Sequence, residues 1–500
     1  MISGAVGPGE HEKETSSIWL VSILGSAPRR LRGDAYRAML SPNDSLVAYM
    51  SKNGIWLADA DGENPREFIE AKDLGVVGSP QWSPDGKRVV YRRVARAKGG
   101  PVTTIESRGL DDEVSTVLVR KNLTGAMLGN GRLYAKDFLM LDDRLVYAMD
   151  EPAPRNRDWN LWEITIDPRS GKPRGEPRRL TDWVGFNIAS LSVTADGSHL
   201  AFQNRRGQAD VYIGELADGG SSLDNARRLT LDDRNDRPSC WTPDSRAVVF
   251  QSDRNGTKDI LVQGVDQRDA QDLVLGAGDQ RSPHLTPDGK SFLYWESGGD
   301  ASGSNRLRLL RIPVGGGPTE LVLEVQDWAT IDCATTPDGP CLLLEVQFEE
   351  RIATLSRLDP VAGKGEELFR IDRTARTGNL RSALSPDGSR FAMIGHTKGD
   401  RSIRLQNALT GDVVRDIDVD GVPSMDFRDV EWSPDGSGFY IVGESPRRVA
   451  LLRVDLQGEA HVLYEEPTGN LFSVSPSPDG RYLAFGKMTP EANVWMIEKF

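Results

Sequence analysis

The sequence predicts an all-β fold built from a repeated unit. A short Ser/Thr-Pro-Asp-Gly segment, often preceded by Trp, recurs along the chain with successive copies 42 to about 57 residues apart. Short segments rich in β-branched and aromatic residues follow the copies, and helical periodicity is nearly absent. Clear copies begin at Ser83, Thr242, Thr286, Thr336, Ser385, Ser433 and Ser477, with weaker ones at Ser41, Leu141 and Thr194.

Each copy has the chemistry of a hairpin turn. Proline presets the backbone at the second turn position, Asp caps the turn through its side chain, and Gly accepts the left-handed conformation. We therefore interpret the recurrent Asp as a turn residue and not as a catalytic one. The tryptophans before the turn, Trp82, Trp241 and Trp432, are expected to pack between neighbouring units.

Four strands are expected in each unit. One strand precedes the turn, a second follows it, as in Arg88–Tyr91, and a third alternates polar and apolar residues, as in Asp210–Ile213. A charged edge strand such as Arg227–Thr230 closes the unit. Four antiparallel strands per unit are typical of a β-propeller blade.

About ten blades exceed the usual four to eight of one propeller, so we predict two packed propellers. One large ring is the alternative. Residues 1–230 are expected to form an irregular N-terminal portion of about four blades, and the sequence allows this portion to be truncated. Residues 231–500 are expected to form a six-bladed C-terminal propeller. Arg227–Thr230 is the candidate closing strand.

The two ends of the chain are expected to complement each other. Ile18–Ile23 has the pattern of a third strand and Arg29–Leu31 that of a fourth, so the chain begins partway through a blade. The last unit has a third strand at Asn493–Ile497 and no fourth. Pairing between these segments would close a ring and remove free sheet edges. A truncated or misassigned gene start is the alternative.

Charge and hydropathy narrow the classes of partner. The formal net charge is −13, and no long Lys/Arg run offsets it, which disfavours binding to nucleic acid or to an anionic membrane. No window reaches the roughly 18 apolar residues of a membrane span, and the residues before Ile18 lack the positive charge of a secretory signal. Buried thiols are expected at Cys240, Cys333 and Cys341. Cysteine usage therefore does not indicate in which cellular compartment the protein lies.

The sequence shows no catalytic, cofactor-binding or metal-binding constellation. Kinase motifs, a phosphate-binding loop and a Gly-x-Ser-x-Gly elbow are absent. The five histidines have no ligand spacing, and Asp253–Asp259 is interpreted as a hairpin turn in preference to a calcium loop. Extra aromatic residues outside the repeat could line a binding surface, although core burial is the safer expectation. The histidines are His11, His199, His284, His396 and His461, and the extra aromatic residues are Trp159, Trp183, Phe186 and Trp328.

At these motifs the chain resembles the TolB-like, PD40 class of WD40-type propeller repeats over essentially its whole length. More narrowly, it resembles the C-terminal propeller region of acidobacterial serine/threonine kinases and winged-helix transcriptional regulators. The closer resemblance rests on Ser17–Gly25, Gly175–Thr181, Leu191–Gly197 and Asn493–Trp495. It implies a sensory or interaction propeller attached to an upstream effector, extracytoplasmic when that effector is membrane-anchored. No kinase or winged helix precedes Ser17 in this chain.

Two classes of function follow. The first is a non-catalytic binding or sensory module, the sensor part of a bacterial signalling or regulatory protein, whose ligand is a protein, peptide or saccharide on a loop face or in the central channel. The second is a propeller hydrolase or lyase with its site in the channel, or the remnant of a propeller-bearing serine peptidase. We expect the first class, with no enzyme activity, no cofactor, no nucleic-acid partner and no membrane insertion.

Overall fold

A computed structural model of the chain shows an almost entirely β architecture. The residues it describes are 2–5, 16–21, 27–52, 54–70, 76–77, 80–97, 100–122, 137–151, 158–194, 196–297, 306–326, 328–347, 352–372, 381–394, 401–422, 425–445, 447–467 and 469–498. They fall into two compact units: one comprises residues 1–206 and 492–500, and the other comprises residues 207–491. None of the described helices is long and apolar enough to cross a membrane.

The N-terminal unit contains a series of antiparallel sheets. Its strands are β1 (Ile2–Ala5), β2 (Ser16–Leu20) and β3 (Arg29–Gly33); β4 (Tyr36–Leu40), β5 (Leu46–Ser51), β6 (Gly54–Asp59) and β7 (Arg66–Ile69); β8 (Val76–Val77), β9 (Gln81–Trp82), β10 (Arg88–Ala97), β11 (Gly100–Gly109) and β12 (Thr116–Asn122); β13 (Phe138–Met140), β14 (Arg144–Asp150), β15 (Trp159–Ile166) and β16 (Pro173–Arg179); and β17 (Ile188–Val193) with the first part of β18 (His199–Ala217).

The C-terminal unit contains five sheets of four consecutive strands and a sixth sheet. The remaining part of β18 is followed by a 3₁₀ turn (Asp218–Gly220) and β19 (Ser222–Arg228). The five sheets comprise β20 (Asp236–Trp241), β21 (Ala247–Ser252), β22 (Asp259–Gly264), β23 (Gln271–Val274); β24 (Asp279–Leu285), β25 (Ser291–Ser297), β26 (Leu307–Pro313), β27 (Glu320–Val325); β28 (Trp328–Cys333), β29 (Cys341–Gln347), β30 (Ile352–Asp359), β31 (Gly363–Asp372); β32 (Arg381–Leu384), β33 (Arg390–Ile394), β34 (Ser402–Asn407), β35 (Val413–Asp418); and β36 (Asp426–Trp432), β37 (Gly438–Ser445), β38 (Arg448–Asp455), β39 (Ala460–Glu466). The sixth sheet contains β40 (Asn470–Pro476) and β41 (Tyr482–Glu498).

The six sheets of the C-terminal unit form a closed ring. Their innermost strands contact one another in the cyclic order β20, β24, β28, β32, β36 and β40, and β40 contacts β20 again. Apolar side chains fill the space between successive sheets, so that the core lies between blades. The predicted all-β propeller fold is therefore confirmed.

The sheet that closes this ring takes strands from both ends of the unit. Its order is β40, β41, β18 and β19, and the N–H of Leu216 donates to the carbonyl of Arg481 at 2.8 Å. The core between this sheet and the β20 sheet contains Val211, Trp241 and Ala484. Because full closure removes free sheet edges, such an arrangement protects the ring from edge-to-edge pairing. The predicted domain boundary at residue 230 stays a prediction.

Two strands are much longer than the sequence predicts. Four antiparallel strands per unit require a turn before the third strands predicted at Asp210–Ile213 and Asn493–Ile497. The structure instead has the uninterrupted strands β18, of 19 residues, and β41, of 17 residues. Neither intervening segment carries the Asp-Gly chemistry that reverses the chain in the other copies.

The expected complementation of the chain ends is not found among the described residues. Strand β2 pairs with β1 and β3, whereas β41 pairs with β18 and β40. The uninterrupted length of β41 explains why the chain ends do not pair. The last part of β41 continues beside β18 and does not form a separate third strand.

The repeated turns have the expected hydrogen bonds. In the copy at Ser433, the hydroxyl donates to Asp435 Oδ1 at 2.6 Å, and the same oxygen accepts the N–H of Ser437 at 3.0 Å. Gly436 has a φ of 69°, which favours glycine. The hydroxyl-to-carboxylate bond recurs at Ser83, Thr242, Thr286, Ser385 and Ser477.

The tryptophans before the turns join neighbouring sheets, as predicted. Each indole N–H donates to a backbone carbonyl in the innermost strand of the preceding sheet. In every case the acceptor is the penultimate residue of that strand. The three bonds are Trp82 to Met39 at 3.0 Å, Trp241 to Ser475 at 3.0 Å and Trp432 to Ala383 at 3.1 Å.

The expectation of free thiols is wrong for two of the three cysteines. Cys333 and Cys341 form a disulfide, whereas Cys240 is free. The antiparallel register of β28 and β29 places the two bonded cysteines directly opposite each other. Their separation of eight residues is that of a hairpin, so cross-strand pairing and not a cysteine motif brings them together.

Reduction of this disulfide is expected to destabilise the C-terminal unit. Cross-linking removes conformational freedom from the unfolded chain, and a loop of this length is worth about 2 kcal/mol. Dithiothreitol should therefore lower the denaturation midpoint of the wild type and leave a Cys333→Ser/Cys341→Ser variant unchanged. Cys240→Ser, the matched control, should keep the sensitivity to reductant. A wild-type midpoint that does not respond to reductant would contradict the prediction.

Candidate functional site

The innermost strands of the C-terminal ring bring six equivalent positions together. We call the penultimate residues of β20, β24, β28, β32, β36 and β40 the axial ring. These residues are Cys240, His284, Asp332, Ala383, Glu431 and Ser475. At two of these positions, Ala383 and Ser475, the backbone carbonyl accepts the tryptophan indole N–H described above. These bonds therefore fix the backbone at two of the six positions, while the side chains of the axial ring differ from blade to blade.

Three carboxyl groups lie near one another at this ring. We call Asp332 of β28 and Asp429 and Glu431 of β36 the acidic cluster. The charges of Asp332 and Asp429 both act on Glu431, and the charge of Asp429 acts on Asp332. Because residues two apart on a strand point to the same side, Asp429 and Glu431 share one face of β36. All three side chains are partly exposed.

Strand β32, between β28 and β36 in the ring, supplies a hydroxyl and a guanidinium to the acidic cluster. The Ser382 hydroxyl hydrogen-bonds Asp332, and the Arg381 guanidinium interacts with Asp429. Asp429 Oδ2 also accepts the N–H of Val474 at 3.2 Å. The arginine and the backbone donors therefore favour the ionised form of Asp429 above that of the other two carboxyls.

The surroundings of the acidic cluster favour protonated carboxyls. Burial raises the pKa of Asp332 to about 8, with Asp429 acting in the same direction and Ser382 against it. Burial raises the pKa of Glu431 well above its ordinary value, and the charges of Asp332 and Asp429 add to the shift. The pKa of Asp429 is also raised by burial, although Arg381 opposes the change. The acidic cluster can therefore hold protons at neutral pH.

The three histidines within the described residues stand apart from one another. His284 belongs to the axial ring, where burial lowers its pKa to about 4, so it is neutral at physiological pH. His199 Nε2 lies 3.8 Å from Glu498 Oε1, and His461 is exposed on β39. His11 and His396 lie outside the described residues. Among the residues whose placement is described, no group of three or more His, Cys, Asp or Glu side chains could hold a metal ion.

The turn interpretation of 253–259 agrees with the structure. The N–H of Gly256 donates to the carbonyl of Asp253 at 3.1 Å, within the connection between β21 and β22. Of the extra aromatic residues, Trp159 and Trp328 pack partly buried against apolar cores. They therefore follow the safer expectation of core burial.

The other two extra aromatic residues belong to an aromatic cluster in the N-terminal unit. Its ring centroids are 4.7 Å apart for Trp183 and Phe186, and 5.3 Å apart for Trp183 and Phe202. Trp495 meets Phe186 edge to face at 5.2 Å. Trp495 is 48% exposed, so this cluster reaches the surface of its unit.

Comparison with curated proteins finds propeller relatives by sequence. The chain is 26% identical over 228 residues to the Tol-Pal system protein TolB of Bordetella pertussis, a match covering 45% of this chain and 36% of the relative. It is 30% identical over 135 residues to TolB of Francisella tularensis, covering 26% of this chain and 29% of the relative. The chain thus spans about a third of the length of these relatives.

The sequence relatives and the observed four-stranded sheets indicate the same fold. The sheets are TolB-like propeller blades. Solved structures similar to the TolB-like chain include one described as TolB from Agrobacterium tumefaciens, with a TM-score of 0.43 and 15% identity, covering 57% of this chain and all of the other. An oligogalacturonate lyase in complex with manganese has a TM-score of 0.36 and 14% identity, covering 59% and 77%. At these scores neither structure carries a functional argument. No protein-family profile matches the chain.

Proposed function

We propose that this TolB-like propeller is a non-catalytic binding module, and that it is the sensor part of a bacterial signalling or regulatory protein. Its ligand is a protein segment with cationic side chains, bound at the axial ring and acidic cluster of the C-terminal unit. The resemblance to propeller regions attached to bacterial effectors supports the sensor role. The contacts of the axial ring support the choice of ligand.

One observation carries the proposal: the axial ring varies from blade to blade, whereas the turns repeat. The turns reuse the same Ser/Thr-Pro-Asp-Gly chemistry in blade after blade. At the penultimate position of the innermost strand, by contrast, the six blades present a thiol, an imidazole, two carboxyls, a methyl group and a hydroxyl. A position that served only the fold would be expected to repeat, as the turns do. Diversity at a rigid, equivalent position is typical of recognition.

The charges of the acidic cluster select the kind of ligand. The three carboxyls repel one another, and the guanidinium of Arg381 interacts with Asp429. A bound lysine or arginine would offset the repulsion among them and favour their ionised forms. Binding should therefore release protons and weaken as the pH falls, because protonation competes with the cationic ligand.

Calorimetric titration with short synthetic peptides tests the proposal. The full chain should bind peptides rich in Lys and Arg and should not bind acidic peptides of the same length. An Asp429→Asn/Glu431→Gln variant should bind the basic peptides about tenfold more weakly, a loss of about 1.4 kcal/mol. Asp435→Asn, which changes a turn carboxyl away from the axial ring, is the matched control. Equal binding by the cluster variant and the wild type would overturn the proposal.

A hydrolase or lyase acting at the same ring is the second candidate. The observation that favours it is the convergence of carboxyls, with Asp332 able to act as a proton donor because its pKa is raised to about 8. An Asp332→Asn variant separates the two functions. Turnover of an oligosaccharide or peptide library that is abolished by Asp332→Asn would favour the enzyme, whereas binding without turnover supports the binding module.

A further inference from the structure

The last part of β41, residues 492–498, is a sheet edge in the N-terminal unit. Strand β41 has only β18 and β40 as described neighbours, and the β40 pairing ends at Met488. Beyond that point β18 lies on one side, as the approach of His199 to Glu498 shows. Along 492–498 no described strand lies on the other side. Among the described residues, the backbone N–H and C=O groups on that side of the edge therefore have no partner strand.

Residues 494–496 of this edge have apolar side chains that are exposed on both faces. Val494 is 79% exposed, Trp495 48% and Met496 61%. Trp495 and Ile497 share one face, where Trp495 contacts Phe186 and Ile497 packs against an apolar core. Val494 and Met496 share the other face, since alternate residues of a strand point the same way. Three consecutive exposed apolar residues are unusual on a soluble surface and mark an interaction site.

This edge lacks the charges that protect the others. The outermost strands of the four-stranded sheets each carry at least one charged residue, as in Pro173–Arg179, Val413–Asp418 and Ala460–Glu466. Such charges prevent edge-to-edge association. Residues 492–497 carry none, and Glu498 alone ends the strand. The edge is therefore built to accept another strand.

We propose that the 492–498 edge pairs in antiparallel fashion with the same edge of a second copy of this chain. Self-pairing centred on Trp495 places Val494 opposite Met496 and Glu498 opposite Ala492, so that no like charges meet. Two tryptophans then lie opposite each other, and the aromatic clusters of both copies become continuous. An isologous contact of this kind uses up the edge of each copy and closes at a dimer.

Light scattering coupled to size-exclusion chromatography tests the pairing on the full chain. The wild type should have about twice the 55.0 kDa mass of one chain. A Val494→Lys/Met496→Lys variant, with both changes at exposed positions, should have the mass of a single chain and an unchanged circular dichroism spectrum. The matched control is Val413→Lys/Val414→Lys on β35, where two residues of similar exposure lie on an edge that is already charged. This control should remain dimeric.

Oxidative cross-linking supplies a second, independent measurement. Trp495→Cys should form an intermolecular disulfide, because the residue faces its own copy across the two-fold axis, whereas Val414→Cys should not. A monomeric wild type at every soluble concentration, an assembly larger than a dimer, or a dimer unaffected by the lysine pair would each overturn the proposal. None of these outcomes depends on peptide binding at the axial ring, so the two proposals can fail separately.

Discussion

Replacing Trp241 by Ala is expected to lower the free energy of unfolding of the C-terminal unit by about 3–5 kcal/mol. Trp241 is 2% exposed, and its indole N–H donates to the Ser475 carbonyl at 3.0 Å. The substitution therefore leaves a cavity and an unpaired carbonyl at the place where the first and last sheets of the ring meet. Hydrogen exchange of the β20 and β40 amides, followed by mass spectrometry, measures the loss where it arises.

A pair of Phe variants separates the hydrogen bond from the packing. Trp241→Phe keeps most of the ring volume and loses the donor, which should cost about 1–2 kcal/mol. Trp295 is 4% exposed, and its indole N–H has no hydrogen-bond partner among the described residues. Trp295→Phe should therefore cost clearly less than Trp241→Phe. Equal losses in the two variants would show that the bond to Ser475 does not secure the ring.

The acidic cluster makes the C-terminal unit less stable as the pH rises. The pKa of Asp332 is raised in the folded chain to about 8, whereas an unfolded Asp titrates near about 4. Its stabilising contribution is therefore fully present below about pH 4 and is lost as the pH rises through about 8. Between pH 5 and pH 9 we expect the wild type to lose at least about 2 kcal/mol of unfolding free energy.

Asp332→Asn should reduce this pH dependence, and the raised pKa values of Glu431 and Asp429 should account for what remains. The amide has the shape of the protonated carboxyl and cannot ionise, so the variant should be more stable than the wild type at pH 9 and similar to it at pH 5. Urea denaturation at the two pH values measures the difference. Asp435→Asn is the control: hydrogen bonds in the turn lower the pKa of Asp435, so its contribution is lost only in acid. Parallel pH profiles of wild type and Asp332→Asn would contradict the assignment.

The blades could be predicted because their determinants are local. Ser433, Asp435 and Gly436 bond within one turn, and that chemistry is visible in five consecutive letters. The interblade role of Trp241 and Trp432 was predictable for the same reason, since each stands at a fixed offset from a turn. Local chemistry repeated at blade spacing determined the fold class without any long-range information.

The long strands and the acidic cluster depend on distant parts of the chain. Nothing within residues 203–209 shows that β18 continues straight, because the decision depends on the partner β41, far along the sequence. Asp332 and Glu431 are likewise far apart in sequence and meet only because β28 and β36 enter one ring. A signal was nevertheless present. Aligning the copies on their turns places the six axial-ring residues at one equivalent position, where their side chains differ from blade to blade.

Strands β18 and β41 each have residues in both units, and this has a consequence for how the protein is made. Because synthesis proceeds from the N-terminus, β18 and β19 emerge long before their partners in β41. The C-terminal ring cannot close until β41 is translated, and the N-terminal unit also waits for residues 492–500. A nascent chain therefore exposes unpaired strand edges until β41 emerges. Proteolysis or stalling within β41 would leave both units incomplete at once.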